Sequence, residues 1–310
     1  MNRSIVCLFD GTGNDKDAPG AAPTNVAKFN GAINLRSIDI NYVNGPATNA
    51  GAFISGGIGL ADAIEEHILE GYEWIASRMH DEETPQSLYL FGFSRGAYIA
   101  RVVSWILFYC GVPSDTNECS ARLRLFKEKN FGELAEIKNG DSVILPENFV
   151  KFLGVWDTVK TSNWPDVNDA KLSPIVQKAC HAMALDEHRR LFDVLKFDAD
   201  ERAEQEWFAG VHSDVGGGYA ECGLSDIACM WMIEKAHECG LKFKKSKVEE
   251  IAPNAATGAA HDEFENWRAL GEKCRMYEEG EQIHPSVFER IGLVAEYSPR
   301  AQNFPPKSLV

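Results

Sequence analysis

One stretch limits what this chain can fold into. Residues 88–93, Leu88-Tyr89-Leu90-Phe91-Gly92-Phe93, are an apolar run of strand length, and residues 97–103 continue with the apolar content of a buried helix. Only Ser94-Arg95-Gly96 is available for the reversal between them. A strand that turns directly into a helix brings backbone against backbone, and side chains at 92 and 96 would clash, so glycine belongs at both. A serine placed as Gly92-x-Ser94-x-Gly96 has the pattern of a nucleophile elbow. The turn pushes the hydroxyl out of the sheet, and the helix start behind it aims N–H groups at the same point.

The rest of the chain alternates in the same way. Apolar runs predict strands over 4–9, 37–43, 149–156 and 206–211. Ala61, Ile64, Ile68, Tyr72, Ile75 and Met79 share one face of a helix over 59–79. Further helices are expected around 24–34, over 96–109, over 173–195 and over 225–239, the last with Ser225 as N-cap and Gly240 after its end. Alternating strands and helices imply an α/β fold with a mostly parallel central sheet and helices on both faces. The Gly-rich segment 45–59 is expected to loop near the site. Residues 111–148 read as an insertion with some helix, and 241–310 as a weakly patterned wrap or lid; both are expected to form partial caps. No repeat, low-complexity tract or linker calls for a second domain, so residues 1–310 are expected to form one domain, and 45% hydrophobic residues are ample for its core.

Charge and cysteines exclude some roles. A formal net charge of −15 disfavours a nucleic-acid partner, because phosphate binding wants clustered Lys and Arg. The eight cysteines are scattered, with no Cys-x-x-Cys pair, which fits a reducing compartment. Met1-Asn2-Arg3-Ser4 leads straight into a strand without a signal-peptide core. No apolar run reaches the ~18 residues of a membrane span. The expected location is the cytoplasm, or delivery without a signal peptide.

Four polar clusters follow predicted strands: Asp10-Gly11-Thr12, Ser94, Asp157 and His212. Parallel sheets bind ligands beyond the carboxyl ends of their strands, so these clusters are expected to share one site. A serine hydroxyl needs an imidazole to take its proton, and the imidazole needs an acceptor to fix its tautomer. The order Ser94, Asp157, His212 is the Ser…Asp…His order of α/β-hydrolases. The oxyanion of an acyl intermediate needs donors, for which the Arg95 N–H and the Gly11-Thr12 turn are the candidates. His284 is the competing base. His181 falls in the predicted 173–195 helix, and His67, His80, His188, His237 and His261 are expected to be solvated. Asp10 and Asp214 form a rival set, as ligands of a metal-dependent phosphohydrolase. A non-catalytic binding module on the same scaffold is the third reading. The serine reading needs no cofactor.

The segments Phe9-Asp10-Gly11-Thr12, Gly92-Phe93-Ser94-Arg95-Gly96-Ala97, Gly154-Val155-Trp156-Asp157-Thr158-Val159 and Trp207 through His212-Ser213-Asp214-Val215-Gly216-Gly217-Gly218-Tyr219 together resemble a bacterial and fungal α/β-hydrolase family. That family includes the catalytic domain of type VI secretion phospholipase effectors. Leu224-Ser225-Asp226 and Ile283-His284-Pro285-Ser286-Val287 are also similar. The resemblance implies an α/β-hydrolase fold, a triad of Ser94, Asp157 and His212, and hydrolysis of carboxylic or phospholipid esters. It further implies peripheral lipid contact, delivery by a contact-dependent secretion system, and a cognate immunity or chaperone partner. A smaller soluble ester is left open as substrate.

Overall fold

The computed structural model describes residues 3–36, 38–46, 58–81, 85–143, 145, 148–160, 164–251, 253 and 258–305. Among these residues, seven parallel strands form one sheet in the order β2-β1-β3-β4-β5-β6-β7. They are β1 (Ser4–Phe9), β2 (Ile38–Val43), β3 (Ser87–Phe93), β4 (Val150–Trp156), β5 (Ala179–Ala184), β6 (Ala203–Phe208) and β7 (Gln282–Ile283). Side chains alternate across a strand, so both faces must be covered when both are apolar. Ile5, Cys7 and Phe9 of β1 join the core on one face, and Val6 and Leu8 join the core on the other.

The first face is covered by α2 (Ile58–Met79) and α3 (Arg95–Cys110), through Ile64, Ile68, Tyr72, Ile99 and Val103. The second is covered by α1 (Asn25–Ala32) and by α7 (Gly223–Glu238), which comes after the single turn α6 (His212–Gly216). Val26, Phe29, Leu224 and Met232 fill that side. The insertion supplies α4 (Cys119–Lys127) and α5 (Phe131–Gly140), which pack on the last turns of α3; Tyr109 stacks on Phe131 at 4.3 Å. Past α7, the chain adds β7 to the sheet edge and ends in α8 (Pro285–Leu293). The chain thus folds as an α/β-hydrolase. The 47–57 part of the expected Gly-rich loop lies outside the described residues.

Two local expectations are corrected. The helix expected over 173–195 is instead β5, buried along its whole length, followed by a short turn of helix at Arg190–Phe192. Ala179-Cys180-His181-Ala182-Met183-Ala184 is rich in helix-favouring residues. Its slot lies between β4 and β6 with both faces covered, and pairing there outweighs propensity. Ser225 does not cap α7, because the helix starts a turn earlier behind Cys222 and the Ser225 hydroxyl donates to the Cys222 carbonyl. Gly240, at φ 99°, does follow the helix.

Candidate active site

The elbow forms where the glycine spacing requires it. Ser94 lies between β3 and α3 at φ 59° and ψ −123°, a region that side chains rarely adopt. A Cβ at Gly92 would lie 2.3 Å from the Gly96 carbonyl oxygen, and one at Gly96 would lie 2.2 Å from that of Phe9. The Ser94 N–H donates to the Trp156 carbonyl at 3.0 Å, tying the turn to the end of β4.

Asp157 follows Trp156 at φ 44°, directly beyond β4. His212 begins α6, a few residues beyond β6. Its Nε2 is 2.8 Å from Ser94 Oγ, and its Nδ1 is 2.5 Å from Asp157 Oδ2. The carboxylate accepts the Nδ1 proton, which leaves the Nε2 lone pair facing the serine hydroxyl. Phe93 packs on the imidazole with centroids 4.6 Å apart, and Phe192 meets it edge-on at 5.0 Å. All three side chains are buried. Burial lowers the pKa of His212, against the opposing pull of Asp157, and so keeps the imidazole neutral. Burial alone would raise the pKa of Asp157, but the Arg275 charge and the His212 hydrogen bond outweigh it, and the carboxyl is held well below its ordinary range.

Arg275 and the turn after β5 were missed in the sequence. The Arg275 guanidinium reaches both oxygens of Asp157, at 2.5 and 2.8 Å. It comes from a weakly patterned segment with no local signal. Beyond β5 lies Asp186-Glu187-His188-Arg189, a polar cluster of the kind that marks the other strand ends, hidden by reading β5 as helix. Glu187 accepts the His212 main-chain N–H at 3.2 Å and forms a two-pronged pair with Arg189, at 3.0 and 2.7 Å. Burial would raise its pKa, but Arg189 holds it down at about 2. Arg189 in turn lies over the Phe192 ring at 3.7 Å. His188 is buried rather than solvated, its two ring nitrogens facing Glu272 at 2.9 Å and Asp262 at 3.0 Å. His181 lies in β5, where its Nε2 accepts the Thr158 N–H at 3.1 Å.

Arg95 opens α3, and its Nε donates to Thr12 Oγ1 at 2.7 Å, which brings the β1 turn to the elbow. The Gly11 N–H points away from an oxyanion role and donates to Asp10 Oδ1 at 2.7 Å. Asp10 also accepts from Thr24 at 2.8 Å and from Tyr42. Asp214 accepts from the Val211 N–H at 3.0 Å and from His261 Nδ1 at 2.6 Å. Among the described residues the two carboxylates share no partner, and each holds its own loop. Among the described residues, no group of three or more His, Cys, Asp or Glu is placed to hold a metal ion. His284 caps α8, bonds Ser286 at 2.8 Å and stacks on Phe208, so its contacts are local.

A family model described as "T6SS, Phospholipase effector Tle1-like, catalytic domain" matches residues 3–235. Among solved structures, an uncharacterized protein from Pseudomonas aeruginosa is 18% identical with a TM-score of 0.48, over 82% of this chain and 49% of that one. A Tle1 effector bound to the VgrG spike of the type 6 secretion system is 17% identical with a TM-score of 0.47, over 70% of this chain and 51% of that one. Thermogutta terrifontis esterase 2, phosphonylated by cyclosarin, is 12% identical with a TM-score of 0.41, over 77% and 84% of the two chains. The matched part of this chain thus spans about half of the first two, at 49% and 51%. Ser94, Asp157 and His212 all fall within the matched 3–235, and the chain belongs to the Tle1-like family of type VI secretion phospholipase effector catalytic domains.

Proposed function

We propose that this chain is a serine hydrolase of carboxylic esters, with a phospholipid or other lipid ester as substrate and a smaller soluble ester as the alternative. The reading is carried by the continuous relay from Ser94 Oγ through His212 to Asp157, at 2.8 and 2.5 Å. His212 Nε2 takes the Ser94 proton as Oγ attacks the ester carbonyl carbon. The imidazolium that forms is held by the Asp157 carboxylate. The tetrahedral oxyanion is met by the main-chain N–H groups of Arg95 and Thr12, with Gly11 shaping the turn. Collapse expels the alcohol, which takes the proton from His212 and leaves an acyl-Ser94. Water then attacks the acyl carbonyl, His212 takes one of its protons, and the acid departs as that proton returns to Ser94 Oγ.

We read the whole chain as one domain, with part of 241–310 covering the site. Its Trp267 meets Phe192 edge-on at 5.1 Å, one ring away from His212. Family membership supports delivery to a target cell by a contact-dependent secretion system, engagement of its delivery machinery, and a cognate immunity protein. Contact with lipid would be peripheral: among the described residues, no helix is long and apolar enough to cross a membrane.

The test is fluorophosphonate labelling of the wild type and of Ser94→Ala, with mass spectrometry of the labelled peptide and turnover of short esters and phospholipids. The expected result is label on Ser94 and a loss of turnover on the order of 10³-fold or more in Ser94→Ala. Retained turnover in Ser94→Ala would sink the serine mechanism. A well-folded wild type that neither labels nor turns over ester would favour the binding-module reading.

A further inference from the structure

The structure assigns Arg275 as a positioning residue for the Ser94–His212–Asp157 relay, an inference that rests on the serine-hydrolase reading above. Its guanidinium holds the Asp157 carboxylate in the one orientation that serves His212. Nη1 donates to Asp157 Oδ1 at 2.5 Å and to the Ala184 carbonyl at 2.7 Å. Nη2 donates to Asp157 Oδ2 at 2.8 Å and to the Phe192 carbonyl at 2.7 Å. The Ala184 N–H closes the set on Oδ1 at 2.8 Å, while Oδ2 faces His212. Each carboxylate oxygen thus has two donors. Rotating the group toward any other partner breaks the fork. The same guanidinium anchors the backbone of Phe192, whose ring packs on the imidazole.

This arrangement is a poor way to gain stability. A buried ion pair pays for desolvation on both sides, and an apolar pair of equal volume often does as well. Here Arg275 is 2% exposed, and its Nε is buried without a hydrogen-bond partner among the described residues. What the fork supplies is orientation and charge, the two things that the acid of a triad needs. The segment that carries it is pinned on both sides. The Lys273 N–H donates to the His188 carbonyl at 2.9 Å, the Gln302 N–H to the Arg275 carbonyl at 2.7 Å, and the Tyr277 N–H to the Gln302 carbonyl at 3.0 Å. Arg275 lies beyond the matched 3–235, so the relay draws on a part of the chain outside that match.

The charge balance sets the direction of its effect. The charged groups acting on His212 and Asp157 are Glu187, Arg189 and Arg275, with Arg101 acting on His181 and Asp193 on Arg275. In the inner set, Asp157 and Glu187 offset Arg189 and Arg275. Burial, with Arg101 adding to it, keeps His181 neutral. Without Arg275 the set carries one excess negative charge, and the Asp157–His212 pair takes up a proton at higher pH. A protonated His212 cannot accept the Ser94 proton, so the acid limb of kcat/KM moves up in pH.

The experiment measures kcat and KM on a p-nitrophenyl ester from acid to alkaline pH. It compares the wild type, Arg275→Met and Arg275→Lys, with fluorophosphonate labelling of Ser94 and near-UV circular dichroism on each. For Arg275→Met, kcat should fall roughly 10- to 100-fold with KM little changed. Its acid limb should rise by about one pH unit. Arg275→Lys restores the charge without the fork, so its acid limb should return to the wild-type position while kcat stays reduced. A folded Arg275→Met with wild-type kcat and acid limb overturns the assignment. Where Arg275→Met does not fold, wild-type kcat and labelling rate in Arg275→Lys overturn it instead. Labelled wild-type Ser94 beside indifferent Arg275 variants sinks this role alone. A wild type unlabelled at Ser94, or turnover that survives Ser94→Ala, sinks the serine reading and this role with it.

Discussion

Ser94 carries backbone strain as well as a hydroxyl. At φ 59° and ψ −123° it occupies a region that costs a side-chain-bearing residue roughly 1–3 kcal/mol. Glycine removes that cost. Ser94→Gly is therefore expected to raise stability by about 1 kcal/mol while abolishing labelling and turnover. Urea unfolding of the two proteins checks it, and an unchanged midpoint would show that the turn is not strained. Gly96 is the converse case. A methyl there meets the Phe9 carbonyl at 2.2 Å, so Gly96→Ala should destabilise by roughly 1–3 kcal/mol and shift the elbow. Loss of labelling at a lowered midpoint is the expected pair of results. The meeting of Ser94, Asp157 and His212 at one place was legible because each follows a strand and has chemistry that its neighbours lack. Arg275 was not, because nothing within its own segment distinguishes this buried arginine from one that faces solvent.

Element types were legible where the apolar pattern was long or bounded by glycine. The elbow strand and helix, α2 and β1 all fall where hydrophobic periodicity puts them. β5 fails that test because its residues are small, and small residues suit a helix as well as a crowded strand. Its six residues are buried without exception, and their place between β4 and β6 depends on partners about 25 residues away on either side. Hydrogen exchange distinguishes strand from peripheral helix. The β5 amides should exchange as slowly as those of β3, through global unfolding, whereas the turn at Arg190–Phe192 should exchange faster. β5 amides that open with the surface helices would contradict its central position. Missing this strand also hid Glu187 and Arg189, because a polar cluster stands out only when a strand is seen to lead into it.

At the scale of the whole molecule, His181 and His284 are held neutral in a chain of formal net charge −15. Burial, with Arg101 adding to it, lowers the pKa of His181 to about 3, and burial lowers that of His284 to about 4. Histidine in the unfolded chain titrates near pH ~6.5. A group held lower in the folded state gives stability that is fully present above the unfolded value and is lost as pH falls toward the folded one. The loss should begin near pH 6.5 and continue to about 4 for His284 and about 3 for His181. Glu187, held at about 2, adds a second loss below the ordinary carboxylate range, of the same sign. Relief of self-repulsion from the −15 charge acts in the opposite direction as carboxylates protonate, but it is screened by salt. Thermal melts at high salt should therefore show the midpoint falling on acidification from pH 7, with a shallower fall in His181→Asn. A midpoint that holds steady to pH 4.5 would rule the histidine contribution out.

Short-range sequence alone determined most of the strand–helix alternation, the elbow at 92–96 and the places of Ser94, Asp157 and His212 just beyond strands. These depend on steric rules and periodicities that operate within a few residues. Tertiary structure decided the rest. It chose a strand over a helix for 179–184, because only pairing with distant neighbours could outweigh local propensity. It turned the Gly11 N–H to Asp10, gave His188 two carboxylate partners, and brought Arg275 across 118 residues to Asp157. A hydrogen-bond fork between residues so far apart leaves no mark on either local sequence, because its geometry exists only when the sheet edge and the C-terminal segment have both formed.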